Sequence, residues 1–177
     1  MQTRVDDATA DDGSAVAYVP PSEAPADRRR MTPRDLYDFL SAQDLAVLAT
    51  RSPAGPPQAA LVGVAVTEGL ELVFDTLRTS RKYANLVAEP RVALVLGWAG
   101  EVTVQYEGTA RTLTGEDVEP YAAAYVRRFP DGRARRQWPE IAYVVVTPRW
   151  VRYTSYAGPT PYTEEFTFPA QADATAH

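Results

Sequence analysis

From Thr32 onward the apolar residues follow two spacings, one helical and one of strand type. Thr32 suits a helix N-cap and Pro33 the first helical position, where a missing N–H costs nothing. Leu36, Phe39 and Leu40 then mark the buried face of a short helix. Leu45 to Thr50 is an apolar run of strand length, and Ser52-Pro53-Ala54-Gly55-Pro56-Pro57 is a turn. Gln58 to Val66 reads as a second strand, and Glu68-Gly69 turns the chain into a third, Leu70 to Phe74. Connections this short predict a three-strand antiparallel meander.

Thr79 or Ser80 can cap a second helix carrying Tyr83, Leu86 and Val87, which ends near Glu89-Pro90. Arg91 to Trp98 and Val102 to Leu113 read as the fourth and fifth strands, joined through Ala99-Gly100-Glu101. Thr114-Gly115-Glu116-Asp117 opens a helix with Tyr121, Ala124, Tyr125 and Phe129, stopped by Pro130-Asp131-Gly132. A basic connector leads to the last strand, Ile141 to Tyr156, with Pro148 at a bend or edge. The expected fold is mainly β (α+β), a six-stranded antiparallel barrel, closed or nearly so, with short peripheral helices. Residues 1–30 are rich in Asp, Ala, Pro and Ser and are expected to form a disordered leader. The domain is expected over 31–157, with a loose polar tail over 158–177.

The second helix carries charges of the wrong sign. Arg81 and Lys82 fall in its first turn, beside Arg78. A helix N-terminus is partly positive, so each cation there costs about 0.3–1 kcal/mol. A bound anion reverses that penalty, because amide N–H groups, hydroxyls and cations then converge on it. The segment therefore reads as a phosphate site. The bland alternative is a solvated helix start in which Lys82 pairs with Glu89 or another surface acid.

Composition narrows the chemistry. The chain of 177 residues has no cysteine, and its sole histidine is His177. Disulfides, thiolate nucleophiles, histidine bases and histidine-rich metal centres are thereby set aside, no metal site is expected, and no catalytic side chain is assigned. Redox chemistry would have to come from an organic cofactor. Haem is disfavoured because it would have to use His177. The net charge of -5 argues against nucleic acid and anionic membranes as partners. No apolar run nears the roughly 20 residues of a membrane span, and no apolar leader follows Met1, so a cytoplasmic protein is expected.

The string Leu72-Val73-Phe74-Asp75-Thr76, Ser80-Arg81-Lys82, Asn85-Leu86, Glu89-Pro90-Arg91-Val92-Ala93-Leu94 and Trp98 resembles the pyridoxamine 5'-phosphate oxidase-like family. Val102 to Ala110 continues the likeness, which covers about residues 33–156. The resemblance implies a split β-barrel that forms homodimers, with a flavin-type cofactor in a groove at the subunit interface. It places the FMN phosphate on Thr76, Ser80, Arg81 and Lys82. It lays the second strand, Gln58 through Gly63 with Ala60, Leu61 and Val62, along the isoalloxazine. The family's fifth-strand glutamine aligns with Thr103, and Gln105 lies two residues on, hence on the same strand face. The oxidase's second-strand arginine and lysine are absent from Gln58-Ala59-Ala60-Leu61-Val62-Gly63, and its C-terminal arginine- and histidine-containing motif is absent after Tyr153. These departures point away from pyridoxamine phosphate oxidation and toward shorter members, some of which use a deazaflavin coenzyme.

The expected function is an FMN-dependent oxidoreductase acting on a small molecule. A deazaflavin-dependent reductase and a non-catalytic flavin-binding or storage protein are the alternatives. Arg127, Arg128, Arg133, Arg135 and Arg136 form the densest basic cluster. It reads as salt-bridged to Glu116, Asp117, Glu119 or a partner subunit, or else as a clamp for a phosphate or carboxylate. Trp98, Trp138 and Trp150 read as core or interface before cofactor contacts, and Arg152 as a residue that could reach the groove.

Overall fold

The computed structural model describes residues 30–169. The expected leader, Arg30 aside, and the end of the tail lie outside the described residues. Helix α1 (Pro33–Ser41) opens with a reciprocal cap: Asp35 N–H donates to Thr32 Oγ1 at 3.2 Å and Thr32 N–H donates to Asp35 Oδ2 at 2.7 Å. Strands β1 (Leu45–Arg51), β2 (Pro57–Gly63), β3 (Ala65–Val66) and β4 (Leu72–Leu77) precede α2 (Arg81–Ala88). Strands β5 (Arg91–Leu96) and β6 (Val102–Thr112) lead through a 3-10 turn to α3 (Val118–Arg128) and the single turn α4 (Gly132–Arg135). The long β7 (Ile141–Ser155) and β8 (Tyr162–Thr167) complete the described chain.

All ladders are antiparallel, in the order β2-β1-β5-β6-β7-β4-β3, with β8 also on β7. The two ends of that path, β2 and β3, are consecutive pieces of one chain segment. The sheet therefore curls until its ends meet at Val64, and β2 runs beside β4 with no ladder between them. That gap is the split of the barrel.

The expected meander is corrected here. Gln58 to Val66 is two strands, not one: β2 pairs with β1, whereas β3 pairs with β4. Val64 and Ala65 are both buried, so the two-residue alternation slips at that point and the chain turns from one edge of the sheet to the other. Among the described residues eight strands replace the expected six, the additions being β3 and β8. The supposedly loose tail contains β8, paired with β7 from Trp150↔Thr167 to Ser155↔Tyr162. The Tyr162 hydroxyl accepts from Met31 N–H at 3.1 Å and donates to Glu164 Oε2 at 2.8 Å, which ties this strand to the start of the domain.

Alternation places the core inside the curl. Val92, Leu94 and Leu96 of β5 and Val104, Tyr106 and Ala110 of β6 are buried, as is the centre of β7. The Tyr106 hydroxyl spans the interior and donates toward the carbonyls of Val146 at 2.8 Å and Leu70 at 3.0 Å. Gly108 sits at a register shift in β6, where a Cβ would run into the Thr147 carbonyl oxygen. Among the described residues no helix is long and apolar enough to cross a membrane.

Candidate functional site

Helix α2 begins at the foot of the split. Ser80 is its N-cap, its Oγ accepting from Tyr83 N–H at 3.3 Å and sharing a hydrogen bond of 3.0 Å with Thr76 Oγ1. Thr76 is buried on β4, so the cap is anchored to the sheet. Arg81 and Lys82 occupy the first two helical positions, where N–H groups have no intrahelical acceptor. The first turn carries no acidic residue. Among the described residues neither Arg81 nor Lys82 makes a salt bridge, whereas Arg91 takes Glu89, the partner considered for Lys82. Arg78 turns away: its guanidinium donates to the Tyr83 hydroxyl at 2.9 Å and lies 5.7 Å from that ring's centre.

A groove follows the split in two adjoining compartments. The first, about 380 Å³, is bounded by Thr50, Gln58, Ala59 and Ala60 and by the Ser80-Arg81-Lys82 turn. The second, about 280 Å³, lies between Leu61-Val62-Gly63 of β2 and Asp75-Thr76-Leu77 of β4, with Arg135, Trp138 and Ile141 at its far side. Ser80 and Lys82 border both compartments. The structure thus brings together eight expected residues: Gln58, Ala60, Leu61, Val62, Thr76, Ser80, Arg81 and Lys82.

The β2 backbone offers more than its side chains do. Val64 N–H donates to the Asp44 carbonyl at 3.0 Å and Ser52 N–H to the Pro56 carbonyl at 3.0 Å. Both bonds belong to the register that pairs Thr50 with Gln58 and Ala46 with Val62. Hydrogen-bonded pairs recur at every second residue of an antiparallel ladder. Gln58, Ala60 and Val62 therefore bond β1, while Ala59, Leu61 and Gly63 turn their N–H and C=O groups to the open edge. Pro57, with no N–H, also falls at an open-edge position. The groove is lined by a run of unpaired backbone donors and acceptors roughly 17 Å long, taking about 3.4 Å per residue.

Asp75, Tyr125 and Arg135 form a polar cluster at the second compartment that motif reading missed. Asp75 Oδ1 accepts from the Tyr125 hydroxyl at 2.9 Å and Oδ2 from Arg135 Nε at 3.0 Å. Arg135 also donates to Asp131 Oδ2 at 2.6 Å. Burial, then the Asp75 charge, pushes the Tyr125 phenol above its ordinary value, so it stays a donor. The hydrogen bonds to Asp131 and then Asp75 raise Arg135 further, and the Arg135 contact lowers Asp131. The signal available in the sequence was an acid just before the Thr76 position and a basic run far downstream, with nothing to join them.

Of the other four arginines in the basic cluster two are neutralised, and Arg127 and Arg133 make no salt bridge among the described residues. Arg136 pairs with Glu119 and Arg128 with Asp44. Asp117 instead pairs with Arg111. Trp138 is half exposed at the groove, and Trp98 is exposed away from it. Trp150 donates to Glu165 at 3.2 Å and lies under Arg152, itself bound to Glu165 at 2.8 Å, so Arg152 serves the outer sheet face.

Thr103 and Gln105 do not line the groove. They sit on β6, separated from β2 by β1 and β5. Gln105 is exposed in an outward row running Leu61, Val47, Val95, Gln105 and on to Arg152 and Glu165.

The family profile described as pyridoxamine 5'-phosphate oxidase matches residues 33–155. The chain belongs to this family. A pyridoxine/pyridoxamine 5'-phosphate oxidase of Anaeromyxobacter dehalogenans is 34% identical over 109 residues, covering 58% of this chain and 54% of that protein. One from Rubrobacter xylanophilus is 38% identical over 82 residues, covering 46% of this chain and 38% of the relative. This member of the oxidase family thus spans about half or less of the curated relatives it matches. Among solved structures, a heme binding protein from Mycobacterium smegmatis superposes with a TM-score of 0.68 at 18% identity, covering 79% of this chain and 59% of that one. A pyridoxamine 5'-phosphate oxidase-related, FMN binding protein from Nostoc punctiforme gives 0.57 at 14% identity, covering 71% of this chain and 87% of that one. At these identities the structural likeness establishes the fold.

Proposed function

We propose that the groove binds FMN and that the protein is a flavin-dependent oxidoreductase acting on a small molecule. The observation that carries this reading is the α2 N-terminus: two cations without an ion-pair partner among the described residues, on an electropositive helix end, facing a compartment continuous with the open edge of β2. Ser80, Arg81, Lys82 and the free amides hold the phosphate. Ala59, Leu61 and Gly63 present backbone donors and acceptors to the polar edge of the ring. Leu61, Val62, Ile141 and Trp138 supply the apolar walls that exclude water. Bound flavin supplies two-electron transfer between a reduced donor and a small organic acceptor or oxygen. The chain's own part is to bind, orient and desolvate, and it needs no histidine base.

A second copy completes the site in this reading. Leu61, Val47, Val95 and Leu45 are exposed at 59%, 36%, 39% and 40%, and they form one apolar face beside the groove. Burying such a face against its symmetry mate brings the partner's face, which carries Thr103 and Gln105, toward the cofactor.

Haem suits the groove poorly, because its lining offers no histidine, cysteine, methionine or tyrosine to ligate the iron. Deazaflavin, with a long anionic tail, wants cations beyond the phosphate; Arg128, Arg135 and Arg136 are already paired with acids, and Arg127 and Arg133, which make no salt bridge among the described residues, do not line the groove. The decisive experiment is mass spectrometry of the small molecule released from undenatured protein, followed by titration with FMN and a deazaflavin coenzyme. FMN recovered, and preferred in titration, is the expected result. Deazaflavin preference redirects the cofactor assignment, and bound FMN that neither a nicotinamide nor any other reduced donor reduces favours a storage protein.

A further inference from the structure

We infer that Asn85 is a positioning residue for the phosphate end of the groove: with Thr50 it fixes the polarity of the Gln58 amide so that the Gln58 NH2 donates to the bound phosphate. This rests on the phosphate reading above. Asn85 is 3% exposed and lies one turn into α2. Its Nδ2 is 2.9 Å from Thr50 Oγ1 and 3.0 Å from Gln58 Oε1. The Thr50 hydroxyl has one proton, directed to the Gln58 backbone carbonyl at 3.5 Å, so its oxygen accepts from Asn85. Asn85 Nδ2 then gives one hydrogen to Thr50 and the other to Gln58 Oε1. With its oxygen held from behind, the Gln58 amide keeps two N–H donors, and Gln58 borders the compartment shared with Arg81 and Lys82.

The arrangement explains why an uncharged residue works beside an anion. An amide free to rotate would turn its oxygen toward Arg81 and Lys82 when the groove is empty. The buried Asn85 forbids that rotation, so the donor is in place before the ligand arrives and no reorganisation accompanies binding. Because Asn85 belongs to α2, the same helix supplies both the cations and the polarity of the facing strand.

The test compares FMN with riboflavin, which lacks the phosphate, by fluorescence titration of the full chain. Wild type should bind FMN far more tightly than riboflavin. Equal affinities would refute the phosphate reading, and this inference with it. Asn85→Asp can accept but not donate; it draws the Gln58 NH2 backward and turns Oε1 onto the phosphate. The FMN-to-riboflavin affinity ratio should fall by roughly 10-fold or more, with riboflavin binding unchanged. Gln58→Glu keeps the buried bond from Asn85 and puts a carboxylate oxygen at the phosphate, so it should lower the ratio by roughly 100-fold even if Asn85→Asp fails to fold. Gln58→Arg in the Asn85→Asp background should restore the ratio. A wild-type preference for FMN that neither single variant reduces would overturn the inference while leaving the phosphate site standing.

Discussion

Replacing Arg81 and Lys82 together by Ala should stabilise the protein without ligand and weaken its hold on FMN. In the ligand-free state both cations lie at a helix N-terminus without acidic partners among the described residues. Removing them relieves about 0.6–2 kcal/mol, from roughly 0.3–1 kcal/mol for each charge. With FMN bound, each cation contributes a charged hydrogen bond of about 1.5–3 kcal/mol. Arg81 is exposed and Lys82 half-buried, so screening holds the total near the low end, about 3 kcal/mol or roughly 100-fold in affinity. At an FMN concentration of 100 times the wild-type Kd, ligand binding adds about 2.7 kcal/mol to wild type. The same concentration is then close to the variant's Kd and adds only about 0.4 kcal/mol. Urea unfolding with and without FMN should therefore show the order of stabilities crossing: variant above wild type when empty, below it when loaded. A variant less stable when empty and equally protected by FMN would refute the electrostatic reasoning.

Asp75→Ala strands the Tyr125 hydroxyl and the Arg135 guanidinium at a site where the Asp75 side chain is only 14% exposed, and should cost about 2 kcal/mol in urea unfolding. A loss too small to measure would show that the cluster contributes nothing to stability. Gly108→Ala pushes a Cβ into the Thr147 carbonyl oxygen and the Val146 side chain at a bulge, and should lower stability by more than about 2 kcal/mol. A wild-type thermal midpoint would contradict the close approach. The Tyr106 and Tyr125 phenols are raised, mainly by burial, so the native state keeps protons that the unfolded chain releases near pH 10. Their contribution is complete below that pH and is lost as pH rises through and beyond it. Phenolate absorbance should therefore appear in step with loss of circular dichroism. Full ionisation of every tyrosine in a still-folded protein would refute it.

Short-range chemistry was legible from the chain. The Thr32 and Ser80 caps, the apolar alternation of β1, β5 and β6, and the cations at the start of α2 each depend on residues within a few positions of one another. Charges of the wrong sign on a helix end pointed to a phosphate, and the ordered string around Ser80-Arg81-Lys82 pointed to the family. The strand count was harder to read, because β8 carries Glu164 and Glu165 in a polar stretch and because the break at Val64 lies inside an unbroken apolar run.

Long-range pairing lay beyond reach of any local pattern. The meander failed because antiparallel partners are chosen by how the whole sheet curls, and the curl separates β2 from β4 to open the split. Asp75 and Arg135 lie 60 positions apart, and Asn85 and Thr50 lie 35 apart. Each carries an ordinary side chain whose use depends on what stands opposite. Sequence periodicity sets which face of an element is apolar. Only closure of the barrel sets which faces and edges meet, because that choice minimises exposed area and unpaired backbone over the whole chain at once.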